Sequence, residues 1–405
     1  MNRLTLISVC FFFLLFSCGG THSNNSVTDL ASETLIMPGA WQTEQYFPLL
    51  ENKTIALVGN HSSLIGDVHL ADSLLNAGFH LKKVFSPEHG FRGEAAHGEY
   101  VKSGIDEQTG LQVVSLYGAN RRPSPSDLEG IDLIIFDIQD VGTRFYTYIS
   151  TMSYVMEEAA RMDIPMLILD RPNPNGHFID GPIREDKHTS FVGLHPIPIV
   201  HGMTVAEYAR MVNGEGWLGE GLKCQLHIVK VKNYERDMYY ELPVAPSPNL
   251  PNMTSIMLYP FICLFEGTEI SLGRGTDYPF QIYGHPDLPA DVFPFQFTPT
   301  PRRAAPTPPQ EGKLCNGIDL RTDNPAGLMG ISKVDLGPLL KAYHHFPRKE
   351  KFFNNFFDRL AGTSVLKEQI KQGKTEEQIR ASWKQDVEYF RQMRKPYLLY
   401  PDLAH

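Results

Sequence analysis

Short apolar runs, each stopped by glycine, proline or ionisable residues, recur through the first two thirds of the chain. TIALVGN (54–60) reads as a buried strand ending in a polar loop, and VHLADSLLNAGF (68–79) has the spacing of an amphipathic helix closed near Gly78. HLKKVF (80–85) predicts a second strand and LQVVSLYG (111–118) a third. IDLIIFDIQDVG (131–142) is nearly continuous in apolar residues, as a central parallel strand must be when both faces are covered. A helix is predicted over 148–162, then IPMLILD (164–170) as a buried strand that stops at Asp170-Arg171-Pro172. Another helix is predicted over 204–212, opened by Thr204 with Glu207 in the capping-box position. This alternation predicts an α/β fold with a Rossmann-like three-layer N-terminal domain and a mostly parallel sheet.

After APSPNLPNM (245–253) the texture changes. SIMLYPFICLF (255–265) predicts a helix, followed by a glycine-marked loop and a proline-rich stretch over 293–310. A short strand near 316–321 and helices over 336–345 and 375–394 complete a smaller α+β C-terminal domain, with Thr375 and Gln378 forming a capping box. The 405 residues exceed what one hydrophobic core usually serves. The expected division is 51–255 for the Rossmann-like domain and 256–405 for the C-terminal domain that completes a cleft.

The N-terminus carries a different signal. Met1-Asn2-Arg3 is a short basic region, 4–16 is mostly apolar, and Leu15-Phe-Ser-Cys18 resembles a bacterial lipobox. The reading is a lipoprotein signal peptide over 1–17, lipidation at Cys18, and a polar tether and extension over 18–50. The chain is then expected to be exported and held by its lipid on a membrane of a bacterial envelope, on the periplasmic face. Plain secretion with cleavage elsewhere is the alternative. Beyond the signal and Cys18, Cys224, Cys263 and Cys315 are too widely spaced for a metal-ligand pair and read as buried thiols, with room for one disulfide. A formal charge of −9 with no basic stripe argues against nucleic acid as a partner.

Sheets of this kind place binding loops beyond the carboxyl ends of their strands. Three such loops are rich in chemistry: SPEHGFRGE (86–94), DIQDVGTRFY (137–146) and DRPNPNG (170–176). Glu88 is the first candidate for a proton donor, under Phe85 and Phe91, where burial raises a carboxyl pKa; a structural carboxylate holding His89 or Arg92 is the equal alternative. Glu94 would bind Arg92 or line the pocket. Asp140, at the polar end of its strand, is a better site candidate than Asp137 within it. Arg144, Tyr146 and Tyr148 offer a planar donor and aromatic faces, and Asp170, Arg171, Asn173 and Asn175 offer hydroxyl or acetamido partners, with a rigid Asx-turn as the plain competitor. Glu266 and Glu269 flank a glycine near Arg274, suggesting a second cleft wall or a closed network around that arginine. Paired carboxylates suit glycoside cleavage, and an arginine fork suits an acidic substrate.

Other chemistries are less well supported. No GxGxxG or GxxxxGK[ST] stands after the first strand, so no nucleotide cofactor is expected, and no GxSxG elbow occurs. Glu88, His89, Asp140, Asp170 and His201 are metal-ligating types without a diagnostic spacing, leaving a metal hydrolase as an alternative. A carbohydrate-binding lipoprotein without turnover is the alternative from another class.

Together SPEHGFRGE, FDIQDVGTRFYTY, LDRPNPNG and LFEGTEISLGRGTDYPF resemble the exo-acting β-N-acetylmuramidases, a bacterial family once known as a domain of unknown function. The likeness runs from about Lys53 to the C-terminus. It implies a Rossmann-like domain joined to a smaller one, with an active cleft between them, and release of N-acetylmuramic acid from the non-reducing ends of peptidoglycan-derived glycan or muropeptide. It implies general acid catalysis by Glu88, with Glu266 or Glu269 as a proposed second carboxylate. The remaining expected contacts to substrate are His89, Arg92, Asp140, Arg144, Tyr146, Asp170, Arg171, Asn173 and Arg274, with one of the arginines 144, 171 or 274 clamping the lactyl carboxylate.

Overall fold

The computed structural model describes residues 35–93 and 103–403. From Ile36 onward the chain is one compact unit. Among the described residues the main sheet has seven strands: β1 (Thr54–Gly59), β2 (His80–Ser86), β3 (Gly104–Ile105), β4 (Gln112–Ser115), β5 (Leu133–Asp137), β6 (Met166–Leu169) and β7 (Leu226–Val229). Their order is β3-β4-β2-β1-β5-β6-β7, parallel throughout except for the edge pair β3 and β4.

The period of two along each strand divides the core into two faces. Ile55, Leu57, Ile135 and Leu167 pack on one side with helices α1 (Thr43–Leu50) and α2 (Leu70–Asn76). Ala56, Val58, Phe136 and Ile168 pack on the other with α3 (Tyr148–Arg161) and α4 (Val205–Gly214). That second cluster continues through α5 (Met253–Ile262) to Leu339, Phe346 and Phe357, so the smaller C-terminal part shares its core with the sheet. It also has its own three-stranded antiparallel sheet, with Cys315–Asp319 between Ile282–His285 and Phe295–Phe297.

Several elements differ from the periodicity reading. The helix expected over 68–79 begins only at Leu70, because Val68–His69 pairs with Leu64–Ile65 and the His69 imidazole accepts the Ala71 amide at 3.1 Å as a cap. The helix expected over 375–394 is two, Glu376–Ala381 and Lys384–Arg394, split where the Trp383 indole turns inward to donate to Asp180 at 3.0 Å. β7 and α1 were not anticipated, since LHIV is too short and too polar-flanked to stand out by pattern.

Where strand order reverses, between β1 and β5, the chain fills the crevice with its own polar groups. Asn60 Oδ1 accepts from the Ser62 amide and hydroxyl at 2.9 and 2.6 Å, Ser62 Oγ accepts the Gln139 amide at 3.0 Å, and Ser63 donates to the Asp137 carbonyl. Beside this crevice Arg171, just past β6, grips Asp137 at the end of β5 through Nε at 2.6 Å and Nη2 at 2.9 Å. Both side chains are essentially fully buried. Taking one partner away strands the other charge in a medium that cannot solvate it, a loss of roughly 3–5 kcal/mol. Urea denaturation of Arg171→Met is expected to show a loss of that size, and Asp137→Leu/Arg171→Met to recover most of it; full stability in the single variant would refute the assignment.

Candidate active site

Strand pairing sets the first wall of the site. Ser86 at the end of β2 is the register partner of Ser115 at the end of β4, and the Leu116 amide donates to the Ser86 carbonyl at 2.8 Å. Glu88 and Tyr117 each lie two residues further on, so they emerge side by side. Between them the chain turns at His89, held at φ 71°, a left-handed backbone that few non-glycine residues adopt and that tends to mark functional turns. Thr147, at the start of α3, donates to Glu88 Oε2 at 3.4 Å. The Tyr117 phenol is raised well above its usual value, first by burial and then by the Glu88 carboxylate to which it hydrogen-bonds.

The facing wall comes from the C-terminal part. α5 runs into a 3-10 turn over Cys263–Gly267 that presents Glu266, and Arg274 returns to it: Nε and Nη2 both reach Glu266 Oε1, the former at 3.0 Å. The Cys263 thiol lies 3.7 Å from Oε2. Arg274 is stacked over Phe280 at 4.8 Å, and its Nη1 is buried without a partner. Gly275 follows at φ +81°, where a Cβ would lie 2.6 Å from both Pro308 and the Thr300 carbonyl, so the proline-rich stretch packs directly behind this arginine.

Glu88, His89, Tyr146, Glu266 and Arg274 line one pocket of about 300 Å³, at the small end of small-molecule sites. Tyr117, Arg121, Thr147, Phe191, Asn249, Tyr259, Phe280 and Arg359 are also part of its surface. Tyr146 and Tyr148 both donate to the Pro246 carbonyl, at 2.9 and 3.2 Å, which fixes the aromatic side of the pocket against the 245–250 loop. Two carboxylates that share a small cavity are an arrangement that acid and base chemistry can use.

Residues 55–254 match the family model for the N-terminal part of exo-beta-N-acetylmuramidase NamZ, and residues 257–400 match the model for its C-terminal part. The chain belongs to this family. A peptidoglycan beta-N-acetylmuramidase NamZ of Bacillus subtilis (strain 168) is 39% identical over 378 residues, 88% of this chain and 89% of that protein. Two DUF1343 family proteins of Bacteroides fragilis NCTC 9343 with crystal structures have the same fold. One superposes with a TM-score of 0.83 at 48% identity, covering 91% of this chain and 99% of its own; the other has a TM-score of 0.78 at 30% identity, covering 91% and 100%.

Within this NamZ fold, several residues expected to touch a ligand are committed elsewhere. Arg144 is fully buried and gives its donors to the carbonyls of Pro182, Ile197 and Leu360 at 2.7–2.8 Å; burial, with Arg184 nearby, brings it down to about 9. Arg171 is spent on Asp137. Arg92 forks onto Asp106 at 3.0 and 2.7 Å, away from the pocket. Asp170 accepts from Thr204, Ala206 and Tyr400 at 2.6–3.0 Å deep in the core. Asn173 holds the Met203 carbonyl and the Asn175 amide, pressed so close to Gly142 that a Cβ there would sit 2.1 Å from its Oδ1. Arg92 apart, these groups are held in the interior, because nearby carboxylates, hydroxyls and backbone carbonyls already take most of their donors and acceptors.

Glu269 is exposed and outside the pocket lining, so the glycine turn separates it from Glu266. Phe85 and Phe91 belong to the cores on the two sheet faces, and the neighbours of Glu88 include Tyr117, Thr147 and Tyr148. The proline-rich stretch supports the pocket rather than lining it. Glu94 and Cys18 lie outside the described residues. Among the described residues no three His, Cys, Asp or Glu side chains are grouped to hold a metal ion, and Cys224, Cys263 and Cys315 are free and buried.

Asp140 stands just behind the tyrosines. Its Oδ2 accepts the Gly142 amide at 2.7 Å, its Oδ1 has no partner, and burial pushes the carboxyl up to about 7. A folded-state value above the usual 3.8 means that the folded protein prefers the neutral acid, so this stabilisation is complete below about pH 4 and is lost as pH rises through about 7. Asp140→Asn is therefore expected to gain stability relative to the parent between pH 4 and 7 and to converge with it at lower pH. Urea midpoints across that range measure the difference, and a pH-independent gap would contradict the ionisation.

Proposed function

We propose that the chain releases N-acetylmuramic acid from the non-reducing ends of peptidoglycan fragments, with Glu88 as general acid and Glu266 as the second carboxylate. The observation that carries this reading is that two glutamates from different parts of the chain line one pocket. The partners of Glu88 include the Thr147 hydroxyl and the Tyr117 phenol, and a phenol that donates to a carboxylate can also accept from the neutral acid. Glu266 meets a guanidinium, the setting of a carboxylate that stays ionised.

In the reaction, the Glu88 proton passes to the glycosidic oxygen as its bond to the anomeric carbon breaks, and the electron pair leaves with that oxygen. Glu266 then serves the incoming water as base or takes the carbon as nucleophile; carboxyl separation distinguishes the two. The unpartnered Nη1 of Arg274 suits the lactyl carboxylate that distinguishes muramic acid from glucosamine. The relative from Bacillus subtilis, a peptidoglycan beta-N-acetylmuramidase, supports the substrate class.

On unactivated glycan fragments Glu88→Gln is expected to lower kcat by about 10²–10⁴-fold with folding intact. Arg274→Lys is expected to narrow the preference for an N-acetylmuramic acid aryl glycoside over its N-acetylglucosamine counterpart. Full-speed hydrolysis by folded Glu88→Gln, or an unchanged preference in Arg274→Lys, would remove the corresponding role.

The lipobox-like LFSC supports attachment to an envelope membrane through Cys18, which would bring the enzyme to wall fragments. Cys18→Ser is expected to move the protein from the membrane to the soluble fraction on cell fractionation; an unchanged distribution would count against the anchor.

A further inference from the structure

Two of the residues that line the pocket with Glu88, Arg121 and Phe191, belong to a four-plane stack. Arg121 lies over the Phe191 ring at 4.4 Å, Phe191 stacks on Tyr154 with centroids 6.0 Å apart and planes 15° from parallel, and Arg122 covers Tyr154 at 4.3 Å. The two arginines are used differently. Arg122 is tied to Glu157 at 2.6 Å and Glu158 at 3.2 Å on α3, whereas among the described residues no carboxylate pairs with Arg121. Arg121 is exposed and lines the pocket together with Phe191.

Such stacking holds a guanidinium flat before any ligand arrives, so less side-chain entropy is lost on binding. Its position follows from topology: Arg121 is four residues past Tyr117, on the loop that β4 sends up beside Glu88. A general acid stands next to the departing oxygen, and an enzyme acting on chain ends keeps the rest of its substrate outside the pocket. The exposed group on the acid's side therefore faces the leaving fragment, while Arg274 lies at the buried wall opposite.

We propose that Arg121, braced on Phe191, is the leaving-group subsite and donates to the hydroxyl or acetamido oxygens of the departing amino sugar. This rests on the assignment of Glu88 as proton donor. It makes Arg121 a specificity-determining residue, acting on what is released and not on the muramic acid ring.

Two substrates separate the roles: the disaccharide N-acetylmuramyl-β-1,4-N-acetylglucosamine, and β-N-acetylmuramyl fluoride, whose leaving group offers nothing to grip and little need of an acid. Arg121→Ala is expected to lower kcat/KM on the disaccharide by about tenfold or more, chiefly through KM, the worth of a hydrogen bond from a charged donor. On the fluoride the change is expected to be far smaller. Phe191→Leu should move both readings the same way by less, with melting temperature checking the fold. Equal losses on both substrates, or no loss on the disaccharide, would overturn the proposal. Glu88→Gln run alongside tests the acid separately: it should spare the fluoride, and if it does not, the acid assignment fails while the Arg121 comparison is still read on its own.

Discussion

A guanidinium cannot shed its charge in a protein, so one that is buried has to be ringed with oxygen. This chain buries several, and the architecture of the site depends on how they are satisfied. Arg171 closes on Asp137 across the ends of β5 and β6. Arg144 gathers carbonyls from the loop after β6 and from Leu360 in the C-terminal part. Arg236 joins Glu207 at 2.8 Å to the Gly202 carbonyl at 2.7 Å, and Arg394 reaches the same carbonyl from the last helix at 3.1 Å. Each cation ties together segments distant in sequence, and through them the wall that bears Glu88 is held in register with the wall that bears Glu266.

That constraint also explains which parts of the site could be read in the sequence. β1, β5 and β6 were legible because a strand covered on both faces needs an unbroken apolar run, and α4 was legible because Thr204 and Glu207 spell a capping box. Glu88 was legible as a pocket candidate from its place just past a parallel strand, although Asp170 and Arg171 hold the same place past β6 and turn inward. The arginines were not. A fork that fits a substrate carboxylate fits Asp137 or three carbonyls equally well, and only packing decides which it meets; Arg144 and Arg171 went inward while Arg274 faced the pocket. Tyr117 and Arg121 belong to no motif at all. The signal that could have found Tyr117 is its offset, two residues past its strand, the same as that of Glu88 past the neighbouring strand.

The two glutamates illustrate how a fold gives different work to identical side chains. Glu88 is delivered by a sheet, at a turn whose backbone is held in a left-handed conformation, and its neighbours are hydroxyls. Glu266 is delivered by the tightening end of a helix, and its neighbour is a cation braced from behind by Phe280 and by the proline-rich stretch at Gly275. Neither environment depends on the other locally. They are brought into one pocket because the C-terminal part shares the core on one side of the sheet and is tied to it by Arg144, which makes that joint packing the physical basis of the site.

The same packing bears on why an enzyme of this family works from chain ends. A sugar inside a polymer has a neighbour on each side and needs a groove open in both directions. Here part of the pocket lining is an interlocked set of rings: Tyr259 meets Phe145, Tyr146 and Phe280 edge-on, with centroids 5.1–5.8 Å apart, and all four side chains are buried. Opening a passage there would break several aromatic contacts and expose a core cluster, at a cost of roughly 1.5–3 kcal/mol for each ring removed from its neighbours. On the function proposed above, a cavity of about 300 Å³ is sized for one terminal unit, with the remainder of the fragment at the rim. Selectivity for ends then needs no recognition of a terminal hydroxyl, because it follows from where the core stops.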